Sequence, residues 1–91
     1  MKRFFLRMEL RDLPGSAERV LGVVRFRGFH LLEMSAHVIS NSQNMELTLR
    51  VEGSRSGDGL LRQLQKLADM REIEMFVMPV ASNNLVAAAS A

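Results

Sequence analysis

The chain contains no cysteine, which excludes a disulfide framework and any thiolate metal site. It has no Trp or Tyr and only five Phe, so the aromatic platform on which nucleic-acid bases stack is mostly missing. Only two prolines break the backbone. No apolar run approaches the ~20 residues that a membrane span needs. The opening Met1-Lys2-Arg3-Phe4-Phe5-Leu6 imitates a secretory leader. Arg7, Glu9 and Arg11 then interrupt any apolar stretch, so export is rejected and a cytoplasmic location is expected. What remains is a chain of 91 residues, 47% hydrophobic and 24% charged, which suits one soluble domain. A domain this small buries a modest share of its surface, so a partner would help to stabilise it. Ten of its twelve basic residues are Arg, a choice that suits planar ion pairing at an interface. Seven Met offer adaptable packing.

Residues 3–11 alternate strictly, with Phe4, Leu6, Met8 and Leu10 on one face, as in a half-buried strand. Asp12-Leu13-Pro14-Gly15-Ser16 breaks it, and Ser16 is placed to cap a helix. Ala17, Val20, Leu21 and Val24 then recur with the helical period, and Gly28 stands where a C-terminal cap is expected. Gly22, within that helix, suggests a close approach of another backbone. Residues 29–39 read as a second strand, with Leu32, Met34, Ala36 and Val38 opposite Leu31, Glu33, Ser35, His37 and Ile39. A polar turn at 40–44 leads to a third strand, where Met45, Leu47, Leu49 and Val51 alternate with charged and polar residues. A Gly- and Ser-rich loop follows. A second helix carries Leu60, Leu61, Leu64, Leu67 and Ala68 on one face, and a last strand covers about 72–78. Residues 80–91 are uncharged and without period, and are expected to fray as a flexible tail beyond a single domain over 1–79.

The order β-α-β-β-α-β predicts an α+β, ferredoxin-like fold: a four-stranded antiparallel sheet with two helices on one face. The open face would then show Phe5, Arg7, Glu9, Glu33, His37, Glu46, Thr48, Arg50, Phe76 and Met78. Strict alternation sends His30 and His37 to opposite faces, so they cannot share a metal. No metal site is expected. The loop serines Ser16, Ser40, Ser42, Ser54 and Ser56 all have simpler roles as caps or turn formers, and no nucleophile–base–orienter set is visible, so no catalytic residue is assigned. The glycine-rich stretch 53–59 lacks the Lys of a phosphate cradle. RNA-recognition motifs share this element order, but they stack bases on aromatics of the first and third strands. Here the third strand has none and carries Glu46 and Glu52, so nucleic-acid binding is not expected.

Asp12-Leu13-Pro14-Gly15-Ser16-Ala17-Glu18-Arg19-Val20-Leu21, followed by Arg27-Gly28-Phe29-His30, resembles the ACT domains of amino-acid metabolism. It is most similar to the small regulatory subunits of acetolactate (acetohydroxyacid) synthase, and in length to the short small subunit of isozyme II. The resemblance covers about residues 3–78. It implies a non-catalytic regulatory subunit that activates a large catalytic subunit in branched-chain amino-acid biosynthesis. Thiamine diphosphate, Mg²⁺ and FAD would then sit on that catalytic subunit, with no cofactor on this chain.

By the same resemblance, Asp12, Gly15 and His30 mark a possible site for a branched-chain amino-acid effector. Valine-sensing relatives carry Asn where this chain has Asp12 and His30, which implies weak or no valine sensitivity. The bare second strand contains neither Pro nor Lys to blunt its edge. With the resemblance, it implies a homodimer formed through the second strand and first helix, with Gly22 and Val23 near the facing helix. Two candidate surfaces for the catalytic subunit remain open: Phe5, Arg7, Arg50, Phe76 and Met78 on the open sheet face, and Arg25, Phe26 and Arg27 at the end of the first helix. The alternative reading is a stand-alone ACT-type amino-acid sensor.

Overall fold

In the computed structural model, which describes residues 1–79, the elements are β1 (Lys2–Arg11), α1 (Ser16–Phe26), β2 (His30–Val38), β3 (Asn44–Gly53), α2 (Asp58–Gln65) and β4 (Met70–Met78). The expected tail over 80–91 lies outside the described residues. The sheet order is β2-β3-β1-β4, and all three pairings are antiparallel. The four-stranded α+β sandwich expected from the element order is thus present. β1 is central because its apolar face is continuous: Phe4, Leu6, Met8 and Leu10 are all buried. They oppose Val51, Leu49, Leu47 and Met45 of β3, and Val77, Met75, Ile73 and Met70 of β4. The helices close this face with Val20, Val24, Leu60 and Leu64.

α1 ends as the Arg-Gly-Phe sequence dictates. Gly28 takes a positive φ of 85°, its N–H donates to the Arg25 carbonyl, and the Phe29 N–H donates to the Val24 carbonyl. This double bond pattern stops the helix and turns Phe29 inward. Phe29 is buried and meets Phe4 edge-on, with ring centroids 5.9 Å apart.

Three local expectations change. Ser16 is the first helical residue rather than the cap: Gly15 caps α1 at φ 84° with no side-chain bond. Ser16 is buried instead. α2 ends at Gln65, because the chain tightens there: the Lys66 and Leu67 N–H groups reach the Gln63 and Leu64 carbonyls. β2 carries a bulge between Leu31 and Glu33. His30 opposes Glu52 and Leu31 opposes Val51 before it; Glu33 opposes Arg50 and Met34 opposes Leu49 after it. One extra residue inverts the alternation. Leu31 therefore faces the helices, Leu32 is the extra residue, and His30 and His37 share the open face. They oppose Glu52 and Glu46, six residues apart on β3, or about 20 Å, which is too far for a shared metal.

Candidate functional site

The turn after β1 is tied down by a residue from the far end of the chain. The Asp12 N–H donates to the Gln43 carbonyl, and the Arg11 N–H to the Asp69 carbonyl. The Ser16 hydroxyl accepts from the Leu13 N–H at 3.1 Å and donates to Asp69 Oδ2 at 3.1 Å. Arg19, one turn along α1, pairs with the same carboxylate oxygen. Its guanidinium also covers Gly15: a Cβ there would lie 3.0 Å from Arg19 Nη1, and the positive φ already favours glycine. Asp12 stays exposed.

The Arg19 guanidinium bonded to it holds the Asp69 carboxyl below its ordinary value of 3.8. Partial burial opposes this, while the Ser16 hydroxyl and the charges of Arg19 and Arg11 reinforce it. A depressed folded value means that the charged form is favoured by folding. This stabilisation is complete above the unfolded aspartate value and is lost as pH falls through the lower folded one. The expected result is that Asp69→Asn melts below the wild type at pH 7. The gap should close as melting temperatures are followed below pH 4, and a constant gap would contradict the assignment.

Asp12, Gly15 and His30 do not meet within one chain. Asp12 follows Arg11, which opposes Asn44, whereas His30 opposes Glu52. Eight residues of β3 separate the two ends, about 27 Å.

The open face carries the expected residues in register. Phe5 stands between Arg50 of β3 and Phe76 of β4, and the two rings lie 6.2 Å apart. Met78 opposes Arg3 at one end. Ion pairs occupy much of the rest: Arg3 with Glu52 (2.9 Å), Arg50 with Glu33 (3.1 Å), Arg7 with Glu74 (3.4 Å) and Glu46 (3.8 Å), and His37 against Glu46 (3.3 Å). The other end is acidic. A shallow cavity of about 360 Å³ is lined by Arg7, Met8, Glu9, Glu46, Glu72, Ile73 and Glu74. Among the described residues, no group of His, Asp and Glu is placed to hold a metal ion. No helix there is long and apolar enough to cross a membrane.

The end of α1 differs in kind. Phe26 is 85% exposed, and so makes almost no contribution to its own fold. Arg25 beside it has no ion-pair partner among the described residues, while the Arg27 guanidinium lies over Gly59 in the first turn of α2. Val23 is partly buried against the core, and Gly22 faces open space. Sequence reasoning missed Asp69 altogether and gave Ser16 a cap's role. The pairing of residues 53 positions apart leaves no local pattern to read. Pro14-Gly15-Ser16 with Arg19 at the next turn is the only trace of it.

The ACT domain family matches residues 12–73 of the chain. The chain belongs to the ACT domain family. It is 40% identical over 73 residues to the acetolactate synthase isozyme 2 small subunit of Escherichia coli strain K12, covering 80% of this chain and 84% of that one. The protein of the same name from Shigella flexneri matches to the same extent. Among solved structures, the ACT domain from GTP pyrophosphokinase of Chlorobium tepidum superposes with a TM-score of 0.69 at 13% identity, over 84% of this chain and all of that one. A homoserine dehydrogenase from Thiobacillus denitrificans gives 0.72 at 9% identity, over 86% of this chain and 17% of that one. At such identities these two establish the fold alone.

Proposed function

We propose that this ACT domain is a non-catalytic regulatory subunit that binds the catalytic subunit of an acetolactate synthase and raises its activity, in the cytoplasm. The observation that carries this reading is the 40% identity to isozyme 2 small subunits over 84% of their length. Thiamine diphosphate, Mg²⁺ and FAD belong on the catalytic partner in this reading. A subunit activates by binding the competent state of its partner more tightly than the other state.

Of the two candidate surfaces, the end of α1 is favoured. On the open face, Arg7 and Arg50 are already engaged by carboxylates, and Phe5 and Phe76 pack on each other. At the end of α1, Phe26 and Arg25 are uncommitted among the described residues, and aromatic and Arg side chains are the usual interface anchors.

The chain also acts as a homodimer through β2. Among the described residues its outer edge is unpaired, and Leu32, Met34 and Val38 are exposed large apolar residues on or beside it. Antiparallel pairing of two β2 strands would carry the partner's His30 to the end of the sheet that bears Asp12 and Gly15. An effector site built from these residues therefore needs both copies.

Mixing tests the reading. Added to the catalytic subunit, this chain should co-elute with it and increase acetolactate formation, with little response to valine. Phe26→Ala combined with Arg25→Ala should weaken activation about tenfold or more at limiting concentration while leaving the melting temperature unchanged. No co-elution and no activation by the wild type would overturn the role. Loss of activation in Phe76→Ala but not in the α1 variant would move the interface to the open face.

A further inference from the structure

Past its bulge, β2 is regular from Glu33 to Val38, with Glu33, Ser35 and His37 on the open face and Met34, Ala36 and Val38 toward the helices. If two such strands pair antiparallel with their open faces on the same side, the twofold axis runs midway between the two copies of one residue. The possible centres have different chemistry. Centred on Glu33, two carboxylates oppose each other; centred on His37, two imidazoles do. Centred on Met34, Glu33 opposes Ser35 and the two Met34 side chains meet. Centred on Ala36, Ser35 opposes His37. Centred on Ser35, Glu33 of each copy opposes His37 of the other, and Met34 opposes Ala36, large against small. Opposed unlike charges stabilise a strand pair and like charges weaken it. The other free edge, β4, is less suited: centred on Ile73 it opposes Glu72 to Glu74, and centred on Glu74 it opposes that residue to itself.

Resting on the homodimer reading above, we propose that two copies join β2 to β2 in the Ser35-centred register, with His37 bridging Glu46 of its own chain and the partner's Glu33, and that protonation of His37 tightens the dimer. The charged groups around it fit this arrangement. Glu46 of β3 lies 3.3 Å from His37 Nε2 and is itself 3.8 Å from Arg7 of β1. Glu33 has Arg50 of β3 behind it at 3.1 Å. Glu9 of β1 opposes Glu46, and its carboxylate accepts a bond from Asn44 Nδ2. A protonated His37 would complete a row of alternating signs from Arg7 through Glu46, His37 and the partner's Glu33 to the partner's Arg50. An imidazole that gains a second carboxylate on association binds its proton more tightly in the dimer, so association strengthens as pH falls through the histidine range. It weakens again once the carboxylates take up protons. The groups are largely exposed, so each contact is modest and screened by salt. Two symmetric contacts give an expected tightening of about three- to tenfold between pH 8 and pH 6.

The absence of cysteine makes the register directly readable. Opposed residues of an antiparallel pair have Cα atoms about 4.5–5.5 Å apart, within reach of a disulfide. Ser35→Cys should cross-link two chains on oxidation, whereas Met34→Cys and Ala36→Cys should not. Light scattering of the wild-type chain over a dilution and pH series should show a dimer that tightens toward pH 6, and His37→Gln should remove that dependence. A wild-type monomer at micromolar concentration would overturn the dimer itself. A dimer that cross-links through position 34 or 36, or through none of the three, would overturn the register and leave the dimer standing. A pH response that persists in His37→Gln would overturn the role of that residue.

Discussion

Replacing Leu6 by alanine is expected to cost about 3–4 kcal/mol of folding stability, among the larger losses from truncating one core side chain in this ACT domain. Leu6 is fully buried at the middle of β1. It opposes Leu49 on one side and Met75 on the other. A cavity at such a point does not collapse, because β1, like β3, is hydrogen-bonded along both edges and cannot move toward either helix. Domains of this size hold roughly 5–10 kcal/mol in total, so the variant should sit near its unfolding threshold at room temperature. Urea unfolding at one fixed protein concentration measures this, since a dimer adds stability by mass action. Leu13→Ala, at an exposed turn position, should leave the midpoint almost unchanged. A small effect at Leu6 would mean that the sheet adapts around the gap, and the picture of a pinned central strand would be wrong.

What the sequence made legible follows the same logic. β1 and β3 were readable residue by residue because each is flanked on both sides. Every second side chain must then enter the core, and the period of two is strict. β2 has a free edge and tolerates an irregularity. Its clue was the doubled Leu31-Leu32, which breaks alternation, and without the bulge the faces of His30 and Leu31 come out reversed. The open-face set of Phe5, Arg7, Arg50, Phe76 and Met78 was legible for the same reason as the core, being its complement. The Ser16–Asp69–Arg19 contact was not, because it joins two turns remote in sequence. In the motif Arg27-Gly28-Phe29-His30, Gly28 stops α1 as its position predicts, whereas the place of Phe29 in the core becomes visible only in the fold.

The close fit of Phe29 makes Gly53 the second sensitive point. Gly53 is the buried last residue of β3, and a Cβ on it would lie 2.8 Å, 3.0 Å and 3.3 Å from three carbons of the Phe29 ring. Its backbone is not in the left-handed region, so the penalty of a side chain here is steric. The ring has little freedom to withdraw. Its amide is fixed by the bond to the Val24 carbonyl, and the ring meets Phe4 edge-on. Gly53→Ala is therefore expected to destabilise by about 1–3 kcal/mol, and Gly53→Val to reach the top of that range or exceed it. Gly22→Ala is the control: nothing lies within 4 Å of a Cβ there, and alanine in a helix interior should stabilise by about 0.5–1 kcal/mol. The mechanism is tested by a double-mutant cycle. If the ring is the obstacle, Phe29→Leu should be cheaper in the Gly53→Ala background than alone, because the smaller side chain makes room for the added methyl. Strict additivity would place the cost elsewhere. The consequence reaches the proposed interface. Phe29 immediately precedes His30, so a displaced ring shifts the start of β2, and a Gly53 variant that still folds should also dimerise less well than the wild type.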